Sequence, residues 1–327
     1  MLGKNIKALL TYSPLVKAAA YVADDFIWNL RIAARDFDTN SGSTHAPLST
    51  EASMRYIEEV FADYKEYGNL DKFYGVAAEI GPGDNAGVAL LMRWDGCKQV
   101  DLIDRYFSRR NPEQQRQIYE AIAQKYKVDD LRKQDVWDER TLGGINWQIG
   151  QPAEVYFSKC AAENGEIYDF IVSRAVLEHL YDPLYALHKM LACLKPGGKM
   201  FHKIDFRDHG MFAPIHHELT FLEIPSYIYP LMVRNSGRPN RVLVHRYRDA
   251  LEEMKANNLI DYSLLVTNLV SFGDITPHQK FEDIDAEKRH QAINFVEQHR
   301  QKFAGEFRNV NSQDLAISGI FLIVTKK

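Results

Sequence analysis

Gly75-Val-Ala-Ala-Glu79-Ile-Gly81-Pro-Gly83-Asp84-Asn85-Ala-Gly87-Val-Ala-Leu-Leu-Met92, followed by Val100-Asp-Leu-Ile-Asp104, decides the fold. Residues 76–80 are a short apolar run with the length of a buried strand. Residues 81–87 form a turn whose missing Cβ atoms let a ligand approach the backbone, and residues 88–92 carry the apolar face of a helix. Residues 100–103 are a second strand, with Asp104 at its carboxyl end. A strand, a glycine turn, a helix and a strand ending in an acid are how an α/β sheet holds a nucleoside, the acid accepting hydrogen bonds from ribose hydroxyls. On these residues alone the ligand is any adenosine-containing molecule.

A dinucleotide site needs a helix N-terminus aimed at a pyrophosphate and the spacing G-x-G-x-x-G, whereas here the third glycine comes one position late, after Asp84 and Asn85. Those polar side chains suit a sulfonium better than a diphosphate, and the carboxylate of Glu79 suits a ligand that carries an amino group and a positive charge. The stretch resembles motif I of class I S-adenosylmethionine-dependent methyltransferases, with Asp104 in the place of that family's ribose-binding acid. The alternatives are a nucleoside-binding protein without catalysis and an aminopropyltransferase-like or NAD-dependent enzyme.

A second block supports the resemblance independently. Tyr168-Asp169-Phe-Ile-Val-Ser173 reads as a strand, Arg174-Ala-Val-Leu-Glu178-His179-Leu-Tyr-Asp182-Pro183 follows it, and Lys195-Pro-Gly-Gly198 leads into Lys199-Met-Phe-His202-Lys-Ile204. The Pro-Gly-Gly stops a helix and supplies residues free to take positive φ as the chain enters a parallel strand. The block resembles methyltransferase motifs IV and V, and the likeness covers residues 73–205 well. It implies a Rossmann-like α/β sheet of seven strands, mostly parallel with the last antiparallel, and S-adenosyl-L-methionine as cofactor. Donor contacts are then expected from Glu79, Gly81, Gly83, Asp84, Asn85, Asp104 and Arg105, and from Ser173 and Arg174. After residues 145–149 the family usually reads Gly-Asp-Ala-Glu, but this chain has Gly150-Gln151-Pro152-Ala153-Glu154. Adenine contact is expected from Gln151 or the Ala153 backbone, and Glu154 reads equally as a surface acid.

At 327 residues, 46% apolar and 12% aromatic, the chain can bury a full core and is long for one α/β domain. The expectation is one elaborated domain: a helical cap over residues 1–70, then residues 71–327 with insertions near 206–242 and 276–312. A net charge of −4 gives no general attraction to nucleic acid or anionic membrane, so the partner expected is a small-molecule acceptor. Cys97, Cys160 and Cys193 are odd in number and far apart, which fits a reducing cytoplasm. Leu9-Leu-Thr-Tyr-Ser-Pro14 breaks too early for a signal segment, and no apolar run is long enough to span a membrane. Residues 16–30 and 52–67 have helical spacing, the second opened by Ser49-Thr50-Glu51, and the polar loop between them holds Thr44 and His45, which either close the site or belong to a solvated linker. Asn111-Pro112-Glu113 opens another helix, and residues 129–144 read as a surface insertion.

Ligands sit outside the carboxyl ends of strands, so the segment after the fifth strand should choose the acceptor. It contains His202, Asp205, His209, His216 and His217. No pair of these has a recognised metal-ligand spacing, so satisfied polar residues around a pocket are expected rather than a metal. For transfer to a hydroxyl, favoured over an amine, His209 is the expected general base, His202 the reserve and Asp205 its orienting partner. Asp205 and Asp208 read equally as caps of the turn. His45, His179, Tyr227, Arg238 and Arg241 are candidate acceptor contacts, although the aromatic run 221–232 reads equally as core. Residues 244–258 form a helix, 261–272 and 316–324 the last two strands, and the helix within 284–303 packs on the domain or at a homodimer interface.

Overall fold

The apolar runs become the strands of one eight-stranded sheet: β1 (Gly75–Ile80), β2 (Cys97–Asp104), β3 (Ile145–Ile149), β4 (Tyr168–Arg174), β5 (Leu194–Asp205), β6 (Ile260–Leu269), β7 (Gly273–Gln279) and β8 (Ile317–Lys326). Their order across the sheet is β3-β2-β1-β4-β5-β8-β6-β7. The first five are parallel, and β8 inserts antiparallel between β5 and β6. This computed structural model describes residues 13–33, 38–39, 42–128 and 142–327. Most of the expected insertion at 129–144 and most of the stretch 9–14 lie outside those residues.

Seven strands were expected in the sheet, and among the described residues it has eight. The additional one, β7, pairs antiparallel with β6 at the sheet edge and contains Pro277. Proline lacks the N–H that a ladder needs, which weakens the sequence signal for a strand, but an edge position tolerates it.

Consecutive strand residues face opposite sides, so Ala77 joins one apolar layer and Ala78 the other. On the first face, helices Thr50–Tyr67, Gly87–Asp95 and Pro112–Tyr126 bury Ile57, Tyr64, Leu90 and Ile118 against Val100, Val172 and Phe201. On the second, helices Ala153–Glu163, Pro183–Cys193 and Val244–Ala256 bury Phe157, Leu187, Tyr247 and Leu251 against Ile171 and Ile204. Helix Thr50–Tyr67 is therefore a layer of the sheet packing, while Pro14–Ala33 lies against the short helix Tyr229–Val233. Ser49 caps the former by accepting from Ala52 N–H at 3.2 Å, and Asn111 with Pro112 at the first turn starts Pro112–Tyr126.

Asp169, at the start of β4, ties three strands together. Its carboxylate accepts from Val76 N–H at 2.8 Å and pairs with Lys195 Nζ at 2.7 Å. A Cβ at Gly75 would lie 2.0 Å from the same carboxylate oxygen, which explains the glycine that opens β1. All three cysteines are free and buried. No helix of the described residues is long and apolar enough to cross a membrane.

Candidate active site

The sheet order reverses between β1 and β4, with β2 and β3 on one side and β5 on the other, so a crevice opens at the carboxyl ends of those two strands. Gly81 and Gly83 lie there at φ +68° and +67°. A Cβ on Gly81 would meet a methyl of Val176 at 2.4 Å, and one on Gly83 would meet the Gly42 carbonyl oxygen at 2.5 Å. The glycines are thus required because the Val176 side chain and the Gly42 backbone converge on the turn, a closer constraint than ligand approach alone. Two hollows meet at Gly42, Gly81 and Gly83.

Asp104, Arg105 and Tyr106 form one wall of the first hollow; Pro152, Ala153, Glu154, Val176, Tyr181 and Gly237 close it. Asp104 accepts from Tyr106 N–H at 3.0 Å, and burial pushes its carboxyl up to about 6 against the opposing pull of backbone N–H groups. Ala153 is at the wall as expected, but Gln151 is not. Glu154 is no surface acid: it is buried and accepts from the N–H groups of Tyr181 and Asp182 at 2.7 and 3.1 Å. That role depends on a turn 27 residues away and left no local signal.

The outer side of this hollow is a clasp. Asp25 of helix Pro14–Ala33 accepts from Asn235 N–H, Asn235 Nδ2 and Ser236 N–H at 2.8–2.9 Å. Arg105 and the Tyr106 hydroxyl both donate to the Asn235 carbonyl, at 3.1 and 3.0 Å, and the Arg105 guanidinium lies 4.2 Å from the Tyr181 ring centroid. Arg238 pairs with Asp24 and stacks on Tyr21, so it closes the clasp instead of offering its charge to an acceptor. Gly237 is held over the cavity, and its carbonyl faces His179 Nδ1 at 2.8 Å.

Glu79 lies in the second hollow with Thr44, His45, Tyr56 and Arg174. Its Oε2 is buried and has no hydrogen-bond partner among the described residues, and burial raises its carboxyl to about 8. Arg174 pairs with Asp63 and Glu59 at 2.7 and 2.8 Å and still lines the hollow. His45 is buried here, its pKa lowered chiefly by burial, and stands edge-on to Tyr56; it shares no cavity with the loop after β5 that should choose the acceptor.

Three expected donor contacts turn elsewhere. Asp84 accepts from the N–H groups of His45 and Ala46 at 3.2 and 3.0 Å and so pins the N-terminal loop. Asn85 bonds Gln115 and its own helix start at Gly87, although its side chain borders the second hollow. Ser173 points into the sheet and shares a 2.8 Å hydrogen bond with His202 Nδ1. That bond also removes His202 as a base: it is fully buried and desolvation pushes it down to about 3.

On the acceptor side Asp205 is gripped by Arg207 through both carboxylate oxygens, at 2.8 and 2.6 Å. His209, partly exposed and at φ +51°, lies with its Nε2 3.6 Å from Asp205 and 3.8 Å from Glu178. Its ring centroid is 4.8 Å from that of His179, which burial pushes down to about 4. His179 lines the first hollow and His209 an outer cleft with Arg207, His216 and Glu218. Tyr227 is 77% exposed and borders none of these cavities. Arg241 donates to the Ile224 carbonyl at 2.7 Å, pairs with Glu306 and stacks on Tyr229, which makes it a core staple.

Among solved structures, the N-methyltransferase NodS from Bradyrhizobium japonicum in complex with S-adenosyl-L-homocysteine is similar over 84% of this chain and 86% of its own, at 13% identity and a TM-score of 0.36. Phosphoethanolamine N-methyltransferase 2 from Haemonchus contortus in complex with S-adenosyl-L-methionine is similar over 82% of this chain and 51% of its own, at 16% identity and a TM-score of 0.38. No curated protein matches the sequence. A family profile described as a methyltransferase domain matches residues 76–257, more than half of the chain, which therefore belongs to the class I S-adenosylmethionine-dependent methyltransferase family.

Proposed function

We propose that the first hollow takes the adenosine and the second the methionine end of S-adenosylmethionine, and that the methyl goes to a hydroxyl of a small molecule at the His179–His209 seam. The observation that carries this reading is the pairing of two differently placed acids across one glycine turn. Asp104 stands where ribose hydroxyls would donate, and the uncompensated Glu79 where an ammonium would neutralise it. Arg174 is at hand for the donor's carboxylate. When bound, the donor supplies an electrophilic methyl on its sulfonium, which moves to the acceptor in an in-line displacement. His209 brings the acceptor oxygen to its nucleophilic form, and the clasp between Pro14–Ala33 and residues 235–238 keeps water from the donor. The weak net charge supports a small acceptor over a nucleic acid.

Calorimetric titration with S-adenosylmethionine, S-adenosylhomocysteine and NAD, followed by a labelled-methyl screen of hydroxylated and amino acceptors, tests this. Binding of NAD alone would overturn the donor assignment, and label only on amines would overturn the hydroxyl. Asp104→Ala is expected to weaken S-adenosylhomocysteine binding by about 1 to 3 kcal/mol, the cost of leaving ribose hydroxyls unpaired. Unchanged affinity would place the ribose elsewhere.

Glu79 gives a pH dependence with a definite sign. Its folded value of about 8 lies above the ordinary 4.5, so the unliganded fold loses stability as pH rises between those values. A bound ammonium pulls the carboxyl back down, so binding expels a proton wherever free Glu79 is protonated. Affinity for S-adenosylhomocysteine should therefore rise by up to about tenfold per unit as pH climbs from the ordinary 4.5 towards about 8 and then level off. Calorimetry in two buffers of different ionisation enthalpy reads the released proton, and Glu79→Gln should abolish it. A flat profile in the wild type would remove Glu79 from the donor site.

A further inference from the structure

Glu178 and His179 lie on the 3-10 turn Leu177–His179 after β4, and His209 on the loop after β5. Because β4 and β5 are neighbours, one donor atom from each of the three side chains falls within 4.8 Å of the others. Ligands that each sit about 2.1 Å from one tetrahedral ion are about 3.4 Å apart, so the three side chains must draw together by up to roughly 1.4 Å to close the set.

Three further observations indicate a built site. Glu178 is 2% exposed, and its Oε2 has no hydrogen-bond partner among the described residues, while Oε1 accepts only a long 3.3 Å bond from Asp205 N–H. A carboxylate so buried is costly, and burial raises this carboxyl well above its ordinary range although His209 stands 3.8 Å away. His179 Nδ1 faces a carbonyl, which can only accept, so Nδ1 carries the hydrogen and Nε2 keeps its lone pair for a ligand. The turn itself is held from outside by Asn240, whose side-chain nitrogen donates to the carbonyls of Leu177 and Leu180 at 3.0 Å each, and whose N–H donates to that of Glu178 at 2.6 Å. Asp205, nearby, is neutralised by Arg207 and serves as a neighbour rather than a ligand.

We propose that Glu178, His179 and His209 bind a divalent transition cation that holds and acidifies the acceptor's hydroxyl beside the donor's methyl. This rests on the methyl-transfer reading and deepens it by naming an oxygen acceptor. Two imidazoles and a carboxylate suit zinc, manganese or cobalt and leave coordination positions open. The cation lowers the hydroxyl's hold on its proton, which passes to solvent. The oxygen then forms its bond to the methyl carbon as the carbon–sulfur bond breaks, and that electron pair stays on sulfur. The departure from the sequence expectation has a simple cause: the ligands come from two strand ends, so no local spacing records them.

The test uses the full chain after chelation and desalting, titrated with Co²⁺ and with Zn²⁺ in the presence of S-adenosylhomocysteine. One equivalent of Co²⁺ should bind and show the visible bands of nitrogen ligation, and His209→Ala and Glu178→Gln should weaken binding by at least about 100-fold. His209→Asp, which keeps a ligand on the same exposed loop, should recover most of it. Circular dichroism and S-adenosylhomocysteine affinity show that the variants are folded. Wild-type affinity in His209→Ala, or the absence of a stoichiometric site, would overturn the cation. So would methyl transfer that continues at full rate in metal-free protein, a result that would leave the methyl-transfer reading standing. Failure to bind S-adenosylhomocysteine at all would instead overturn the donor site.

Discussion

His209→Ala is expected to lower turnover by about 10²- to 10⁴-fold while leaving affinity for S-adenosylhomocysteine nearly unchanged. The separation follows from position: His209 lines the outer cleft and neither of the two hollows proposed for the donor. Turnover and donor affinity must be measured on the same preparation, because a loss of both would mean that the loop after β5 had collapsed. Wild-type turnover between about pH 6 and 9 would remove His209 from the chemistry and favour an acceptor that is already a good nucleophile, such as an unprotonated amine. His202 cannot substitute, since it is sealed inside the sheet against Ser173, and His45 belongs to the opposite hollow.

Gly83→Val is expected to abolish donor binding, by more than about 100-fold, for two reasons that one control separates. A side chain at φ +67° is strained, at about 1 to 2 kcal/mol, and β-branching makes it worse. The new Cβ would also sit 2.5 Å from the Gly42 carbonyl oxygen, which must retreat and take with it the Gly42–Asp84 backbone bond and the ties from Asp84 to His45 and Ala46. Gly165 has the same φ of +67° and nothing within 4 Å of its Cβ position, so Gly165→Val measures the strain alone. A thermal melt of both variants with an S-adenosylhomocysteine titration completes the comparison. If Gly83→Val binds like the wild type, the turn is not part of the donor site.

The legible parts of the chain were those whose signal is local. The β1 strand with its glycine turn, the capped helix starts and the Lys-Pro-Gly-Gly stop each depend on residues within a few positions, and they fixed the parallel half of the sheet. Side-chain direction at the strand ends was harder. Ser173 and Arg174 are adjacent and were treated alike, yet period-two alternation sends Ser173 into the sheet and Arg174 into the hollow. Arg238 and Arg241 looked free for an acceptor because Asp24 and Glu306, which hold them, are 214 and 65 residues away. Glu154 and Glu178 were invisible for the same reason: burial and a distant backbone give them their roles.

The clasp made by Asp24 and Asp25 has a kinetic consequence. On the proposed donor placement, spent donor leaves the hollow by its outer side only when residues 235–238 part from helix Pro14–Ala33. Asp25 is buried and holds Asn235 and Ser236 through three hydrogen bonds, whereas the partly exposed Asp24–Arg238 pair is screened by salt and contributes little by itself. Opening the clasp therefore requires the buried Asp25 bonds to break, and not the Asp24–Arg238 pair alone. On the proposed donor placement Asp25 gates product release, and added salt, which weakens only the Asp24–Arg238 pair, shortens the wait little.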